Sequence, residues 1–264
     1  MAEFSTWRAY RNFEREVSRN RRYIRTAEAE SFLTAVRSTC EARKLHISKG
    51  RGFWRAQAGH GWRYEEAIGE DVPHAFLPER MKPLTDRAME GRANPRGVSV
   101  LYLCTNKEAS MSEVRPWLGS MISLGHFKTN RKLTIVDCTR DSEGTNNIYL
   151  RELPEDERDR IIWSDINRAF TTPVTRSDDT DVYVATQILA ELFKDYGFDG
   201  IAHRSAFGES STNLALFDRD CADLTSCQLH EATSVRFNFP ERDGPYWVRQ
   251  ATSSTKSAKK GRKK

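Results

Sequence analysis

From Phe4 onward, large apolar side chains recur close to helical spacing: Trp7, Tyr10, Phe13, Val17 and Tyr23, with the pattern continuing through Ala27 to Val36. This is the period of an amphipathic helix, and the positions between carry Arg8, Arg11, Arg15, Arg19, Arg21 and Arg22. The spacing predicts a helical N-terminal extension over residues 1–48, packed on the rest of the protein through its aromatic side. After Gly50 the pattern shortens to that of strands, predicted around Phe53 to Gln57, Val98 to Leu103, Met121 to Phe127 and Lys132 to Cys138. Two longer helical segments follow. Pro154 to Phe170 opens with acidic residues, as the helix dipole favours, and Asp181 to Tyr196 ends at Gly197, a natural cap. Late strands near Gly200 to Arg204, Asn213 to Phe217 and Cys227 to Phe239 complete an α+β arrangement without internal repeats. The body of the protein is expected to span residues 49–245, followed by a tail over 246–264.

That tail changes the charge picture. The chain has 264 residues and a formal charge of +5, but six Lys or Arg fall between Lys256 and Lys264, and the remainder stands at −1. With no apolar residue to anchor it, the tail reads as disordered and solvated. Its functional reading is weak, non-specific contact with nucleic acid. Five cysteines without C-x-x-C spacing fit reduced thiols in a cytoplasmic protein. The first residues lack a signal-peptide pattern, no apolar run is long enough to span a membrane, and no membrane association is expected. Gly59-His60-Gly61 lacks the lysine of a phosphate loop, and the six histidines show no paired metal-ligand spacing. No G-x-S-x-G is present, so no hydrolase serine is expected. No metal site and no zinc-finger or helix-turn-helix motif is expected either.

The densest chemistry lies in Gly91-Arg92-Ala93-Asn94-Pro95-Arg96-Gly97, the apolar run to Leu103, and Glu113-Val114-Arg115-Pro116. Gly, Asn and Pro fix the turn, which presents Arg92 and Arg96 beside a strand carrying Tyr102 and so can hold an anion. Thr105 to Glu108 fits a capping box, which opens a short helix carrying Glu113. An arginine, an aromatic ring and a carboxylate from adjacent elements suit a ligand with phosphates and a sugar that develops positive charge. NAD is such a ligand: loss of nicotinamide gives the ribose oxocarbenium character, which a nearby carboxylate stabilises in the transition state. Spacing alone does not separate that role from a structural, ion-paired Glu113.

The stretch from Arg92 to Trp117 resembles the RES domain family. Phe53-Trp54-Arg55-Ala56 upstream is similar to the family's opening strand, and Gln187 to Glu191, Phe198 to Ile201, Arg204-Ser205 and Asn213 to Phe217 follow in the family's order, over roughly residues 50 to 220. The resemblance implies a fold related to the ADP-ribosyltransferases, with a mixed β-sheet core and flanking helices. It also implies a toxin that degrades NAD by phosphorolysis or hydrolysis, with inorganic phosphate as co-substrate in the first case, silenced by an Xre-type antitoxin. Carried over by position, Arg55 and Arg92 would hold the pyrophosphate and ribose side of NAD. Tyr102 would border the nicotinamide, Glu113 would stabilise the ribose cation, and Ser205 would donate a hydrogen bond there. Asn213 joins Tyr102 and Ser205 among the NAD-binding positions. Two stretches depart from the family pattern: His203-Arg204-Ser205, where many members carry an aromatic before the serine, and Gly208-Glu-Ser-Ser-Thr212, where many have a glycine pair. Glu209 would repel phosphates unless its loop points away. Two other readings of the same residues are a mono-ADP-ribosyltransferase acting on a macromolecule, and a non-catalytic protein that uses its tail on nucleic acid.

Overall fold

The computed structural model describes residues 3–85, 87–140, 152–173, 180–208, 210–241 and 243–244. The basic tail and Glu209 lie outside the described residues. Met1–Thr233 form one compact unit and Ser234–Lys264 a second.

The N-terminal pattern resolves into two helices, α1 (Ala9–Arg19) and α2 (Ala27–Thr39), rather than one run. Thr26 starts the second by accepting a hydrogen bond from the Ala29 N–H at 3.2 Å, and Tyr23, expected on the apolar side, is exposed in the link between the two. Strand β1 (Lys44–Ile47) leads to β2 (Gly52–Ala58), followed by a separate hairpin of β3 (Gly61–Glu65) and β4 (Glu70–His74) and a single turn of helix, α3 (Pro78–Met81). Strand β5 covers Leu101–Cys104 and not the expected Val98 onset. The reason is local: the Val98 carbonyl is taken by the Asn94 side chain at 2.8 Å, and pairing with the neighbouring strand starts at Leu101.

Helix α4 (Lys107–Glu113) is capped one residue later than the sequence suggests. Asn106 Oδ1 accepts from Ala109 N at 2.8 Å, while Thr105 Oγ1 turns away to accept from Thr212 N at 3.0 Å. Then come β6 (Met121–Thr129), β7 (Leu133–Asp137), α5 (Glu155–Thr171), α6 (Val184–Asp195), β8 (Gly200–Arg204), β9 (Thr212–Leu216) and β10 (Ala222–Glu231). A short 3-10 turn, Thr180–Tyr183, precedes α6, and Gly197 follows it at φ +87°, the left-handed conformation glycine tolerates. The last strand stops at Glu231, short of the expected Phe239, because its partner chain turns at Trp117 to Ser120: Ala232 still exchanges backbone hydrogen bonds with Gly119 and Ser120, at 2.8 and 2.9 Å, and there the pairing ends.

Eight strands form a sheet in the order β1-β7-β8-β9-β5-β2-β6-β10, with β7 and β8 parallel and the other neighbours antiparallel. Period-two alternation gives each strand two faces. Leu101, Leu103, Leu214, Leu216, Ile135 and Phe127 bury one face. The other receives α1, α2, α5 and α6 over β7, β8 and β9, through a core that includes Phe13, Phe32, Trp163, Phe170, Leu189 and Ile201. Further along the same face, Met111 and Val114 of the α4 segment pack against Trp54, Ile122 and Leu124 of β2 and β6. The helices thus fall into two groups on one face, with β5 and β9 between them.

The N-terminal helices belong to the main core. Phe32 of α2 meets the rings of Phe4, Tyr10 and Phe13 at 5.6, 6.2 and 4.6 Å. Truncating such a ring removes its transfer free energy and leaves a cavity, so Phe32→Ala is expected to lower stability by about 3 to 5 kcal/mol, read as a reduced urea midpoint with an unchanged slope.

Candidate active site

Strands β2 and β5 are paired at one position, Trp54↔Cys104, and then part. Arg55 occupies the split. Its Nε donates to the Met81 carbonyl at the end of α3, at 2.9 Å, and its Nη1 to the Tyr102 carbonyl of β5 at 3.1 Å, so the guanidinium serves one acceptor left by the strand split and one at a helix C-terminus. Burial pulls its pKa down to about 10, which leaves it cationic at neutral pH.

The basic turn packs against the same strand. Tyr102 Oη donates to Asn94 Oδ1 at 2.7 Å and accepts from Ala93 N at 3.0 Å, and Gly91 bridges back to Asn94. A Cβ on Gly91 would lie 2.6 Å from Tyr102 Oη, so this contact requires glycine. Gln187 of α6 aims its Nε2 at the Gly91 and Asn94 carbonyls, each at 3.0 Å, which accounts for a glutamine in the sequence motif beginning there. Arg92 leaves this turn toward α5, where Nη1 donates to Ala169 O at 2.6 Å and Nη2 to Thr172 O, at the negative end of the helix dipole. Its guanidinium also lies 5.6 Å from the Tyr183 ring centroid. Burial lowers its pKa, opposed by the Tyr183 and Glu113 side chains. Arg96 is exposed and does not line the cleft described next.

Glu113, the last residue of α4, is reached from two strands. Its Oε1 accepts from Ser205 Oγ at 2.7 Å, just past β8, and from Asn213 Nδ2 at 2.6 Å on β9. Ser205 Oγ in turn accepts from Phe207 N at 3.1 Å. Oε2 takes no hydrogen bond among the described residues and is free for a ligand. One oxygen of Glu113 is therefore a structural anchor and the other a chemical group.

These elements enclose a cleft of about 690 Å³. It lies in the gap between the two helix groups and is lined by Arg55, Arg92, Tyr102, Glu113 and Asn213, five of the six residues expected from sequence. The sixth, Ser205, acts on the site through Glu113. The sequence reading missed Arg80, Arg115, Phe170, Tyr183 and His203, which also line it. Arg115 and His203 stood inside motifs already singled out. Arg80, Phe170 and Tyr183 carried no local signal, because their place on the cleft comes from packing of distant elements. Among the described residues, four arginines line the cleft against one carboxylate, which favours a polyanionic ligand.

The family model of the RES domain matches residues 53–240. The chain belongs to the RES domain family. No curated protein matches it. Among solved structures it is similar to the M. tuberculosis MbcT–MbcA toxin–antitoxin complex in its crystal structure, with a TM-score of 0.38 and 15% identity over 74% of this chain and 90% of that one. The matched span begins in β2, so α1, α2 and β1 lie before the RES domain, although β1 is hydrogen-bonded to β7 of the domain's sheet. Among the described residues no group of three or more His, Cys, Asp or Glu is placed to hold a metal ion, and no helix is long and apolar enough to cross a membrane. All five cysteines are free thiols.

His203 gives the RES domain a distinct pH response. Burial, with a further push from Arg92, lowers its pKa from 6.5 to about 4. Below pH 6.5 the unfolded chain binds a proton that the folded one refuses, so this group's contribution is complete above pH 6.5 and is lost as pH falls toward 4. The expected loss is about 3 kcal/mol. Urea titrations at pH 7, 5.5 and 4 should show that decline, and His203→Phe should remove its share of it.

Proposed function

We propose that this RES domain cleaves the nicotinamide N-glycosidic bond of NAD, by phosphorolysis or hydrolysis, as a toxin held in check by an Xre-type antitoxin. The observation that carries this reading is Glu113, held through one oxygen by Ser205 and Asn213 and left open at the other, in a cleft with four arginines. In this reading Arg55, Arg80, Arg92 and Arg115 supply the positive field for the pyrophosphate. Arg55 keeps Nη2 for a ligand, and Arg92 keeps Nε and the second proton on each terminal nitrogen. Tyr102 contributes its ring, since its hydroxyl is already engaged on both sides.

The chemistry asks little of a base. As the C–N bond breaks, its electron pair leaves with nicotinamide and the ribose becomes cationic. Glu113 Oε2 hydrogen-bonds the ribose and stabilises that charge. A phosphate oxygen or water then bonds to the anomeric carbon, giving ADP-ribose 1-phosphate or ADP-ribose, and water gives up a proton to solvent. At an effective dielectric near 20 and about 4 Å, the carboxylate is worth roughly 4 kcal/mol to the cation, on the order of a thousandfold in rate.

The test is nicotinamide release by the purified chain, with and without phosphate. Glu113→Ala is expected to lose about a thousandfold in kcat/KM. Ser205→Ala, which leaves the carboxylate but loosens it, is expected to lose about tenfold. Release that rises with phosphate identifies a phosphorylase, and release in its absence a hydrolase. Label from NAD retained on protein or nucleic acid favours the transferase alternative. A partner-free wild-type protein that releases no nicotinamide in either buffer overturns the catalytic reading.

A further inference from the structure

His203 is used by none of the steps above, yet it stands beside the group that performs them. It pairs with Asn213 across the antiparallel β8–β9 ladder, so the two side chains share one face of the sheet at neighbouring positions. Asn213 is the residue that donates to Glu113. The imidazole stacks on Phe170 of α5, with ring centroids 5.8 Å apart and planes inclined by 29°, and both residues line the cleft. Together they form an aromatic wall next to the carboxylate.

The hydrogen bonding of the ring fixes its tautomer. Nδ1 lies 2.9 Å from the Arg204 carbonyl, which can only accept, so Nδ1 carries the proton and Nε2 presents a lone pair. Nε2 has no partner among the described residues, and it is not among the buried polar atoms sealed from solvent without one. Because burial and Arg92 hold the ring neutral, with its pKa lowered to about 4, the lone pair is present at neutral pH. The four arginines of the cleft only donate hydrogen bonds. The hydroxyl of Tyr102 is closed off by Asn94 and Ala93, and Glu113 is directed at the ribose. Paired with Asn213, which holds Glu113, His203 Nε2 is an acceptor placed for a ligand N–H next to that ribose.

We propose that His203 selects the departing base, its Nε2 accepting a hydrogen bond from the carboxamide N–H of nicotinamide while the ring packs against the wall it forms with Phe170. This inference rests on the NAD reading and adds a specificity-determining residue to it. The adenine amino group is also a donor, but it lies at the far end of the dinucleotide from the bond that Glu113 addresses.

The experiment compares NAD with its 3-acetylpyridine analogue, in which a methyl group replaces the carboxamide NH2, on wild type, His203→Phe and His203→Gln. Phenylalanine keeps a ring against Phe170 and removes the acceptor; glutamine restores an acceptor without the ring. For His203→Phe, the ratio of kcat/KM for NAD over the analogue should fall about tenfold relative to wild type, the size of one neutral hydrogen bond. His203→Gln should keep more of the ratio than His203→Phe. An unchanged ratio in His203→Phe, or an equal loss on both dinucleotides, overturns the proposal. Equilibrium binding of the same two ligands to the Glu113→Ala protein, with and without His203→Phe, reads base preference without turnover. A preference for NAD that disappears with His203→Phe supports the proposal there even where wild type cleaves nothing, a result that would overturn the cleavage reading instead. Independently of any variant folding, the ¹⁵N shift of wild-type His203 Nε2 should move on adding nicotinamide and not on adding 3-acetylpyridine; no movement with either overturns the proposal.

Discussion

The parting of β2 from β5 past Trp54 is the constraint on which the site depends, and the Arg55 guanidinium is what makes it tolerable. A sheet that splits within a protein leaves carbonyls facing each other without donors, at a cost of about 1 to 3 kcal/mol for each one left unpaired. Arg55 satisfies one such acceptor, the Tyr102 carbonyl, and with the same planar group the Met81 carbonyl at the end of α3, which lysine could not do with the same geometry. It also brings a half-buried positive charge to the cleft wall. The opening and the charge that fills it therefore come from the same residue.

The opposite wall is organised by the last turn of α5. Ala169 and Thr172 receive Arg92, while Asn167 Oδ1 accepts from the Arg204 N–H at 3.1 Å and Thr171 Oγ1 donates to the Arg204 carbonyl at 2.9 Å. Strand β8 needs those partners because its ladder with β7 ends at Ala202. One helical turn thus sets the basic turn on one side and the approach to Ser205 on the other. Helix α5 is itself seated on α1, where Arg11 and Arg168 flank the buried Asp165. Burial raises the Asp165 pKa even so, with both arginines opposing it. The N-terminal helices lie outside the RES match, but they pack against the element that holds its arginine.

Much of this was legible in the sequence, and the limits have physical causes. Helical periodicity located α1, α2, α5 and α6, since each buries one stripe, α5 and α6 against the sheet and α1 and α2 against those helices and each other. The motif residues Arg55, Arg92, Tyr102, Glu113 and Asn213 converge on the cleft because β2, β5, β9, the basic turn and the end of α4 meet there. What failed was local and competitive: Asn106 took the cap that Thr105 was expected to provide, the Asn94 side chain withheld Val98 from β5, and β10 lost its partner at the Trp117 to Ser120 turn. Arg80 and Tyr183 were invisible because no neighbouring residue marks them. The double duty of Arg55 and Arg92, each spending donors on backbone carbonyls, depends on contacts between segments far apart in the chain.

That double duty bears on how tightly the cleft can grip. A flexible arginine loses about 0.5 to 1.5 kcal/mol of side-chain entropy when a ligand immobilises it. Arg55 and Arg92 are already immobilised by Met81, Tyr102, Ala169 and Thr172, so that entropy is lost when the chain folds and not when an anion arrives. Affinity is thereby tied to the integrity of α3, β5 and α5. Anything that loosens the end of α5 frees Arg92 first, and the site weakens before the protein unfolds.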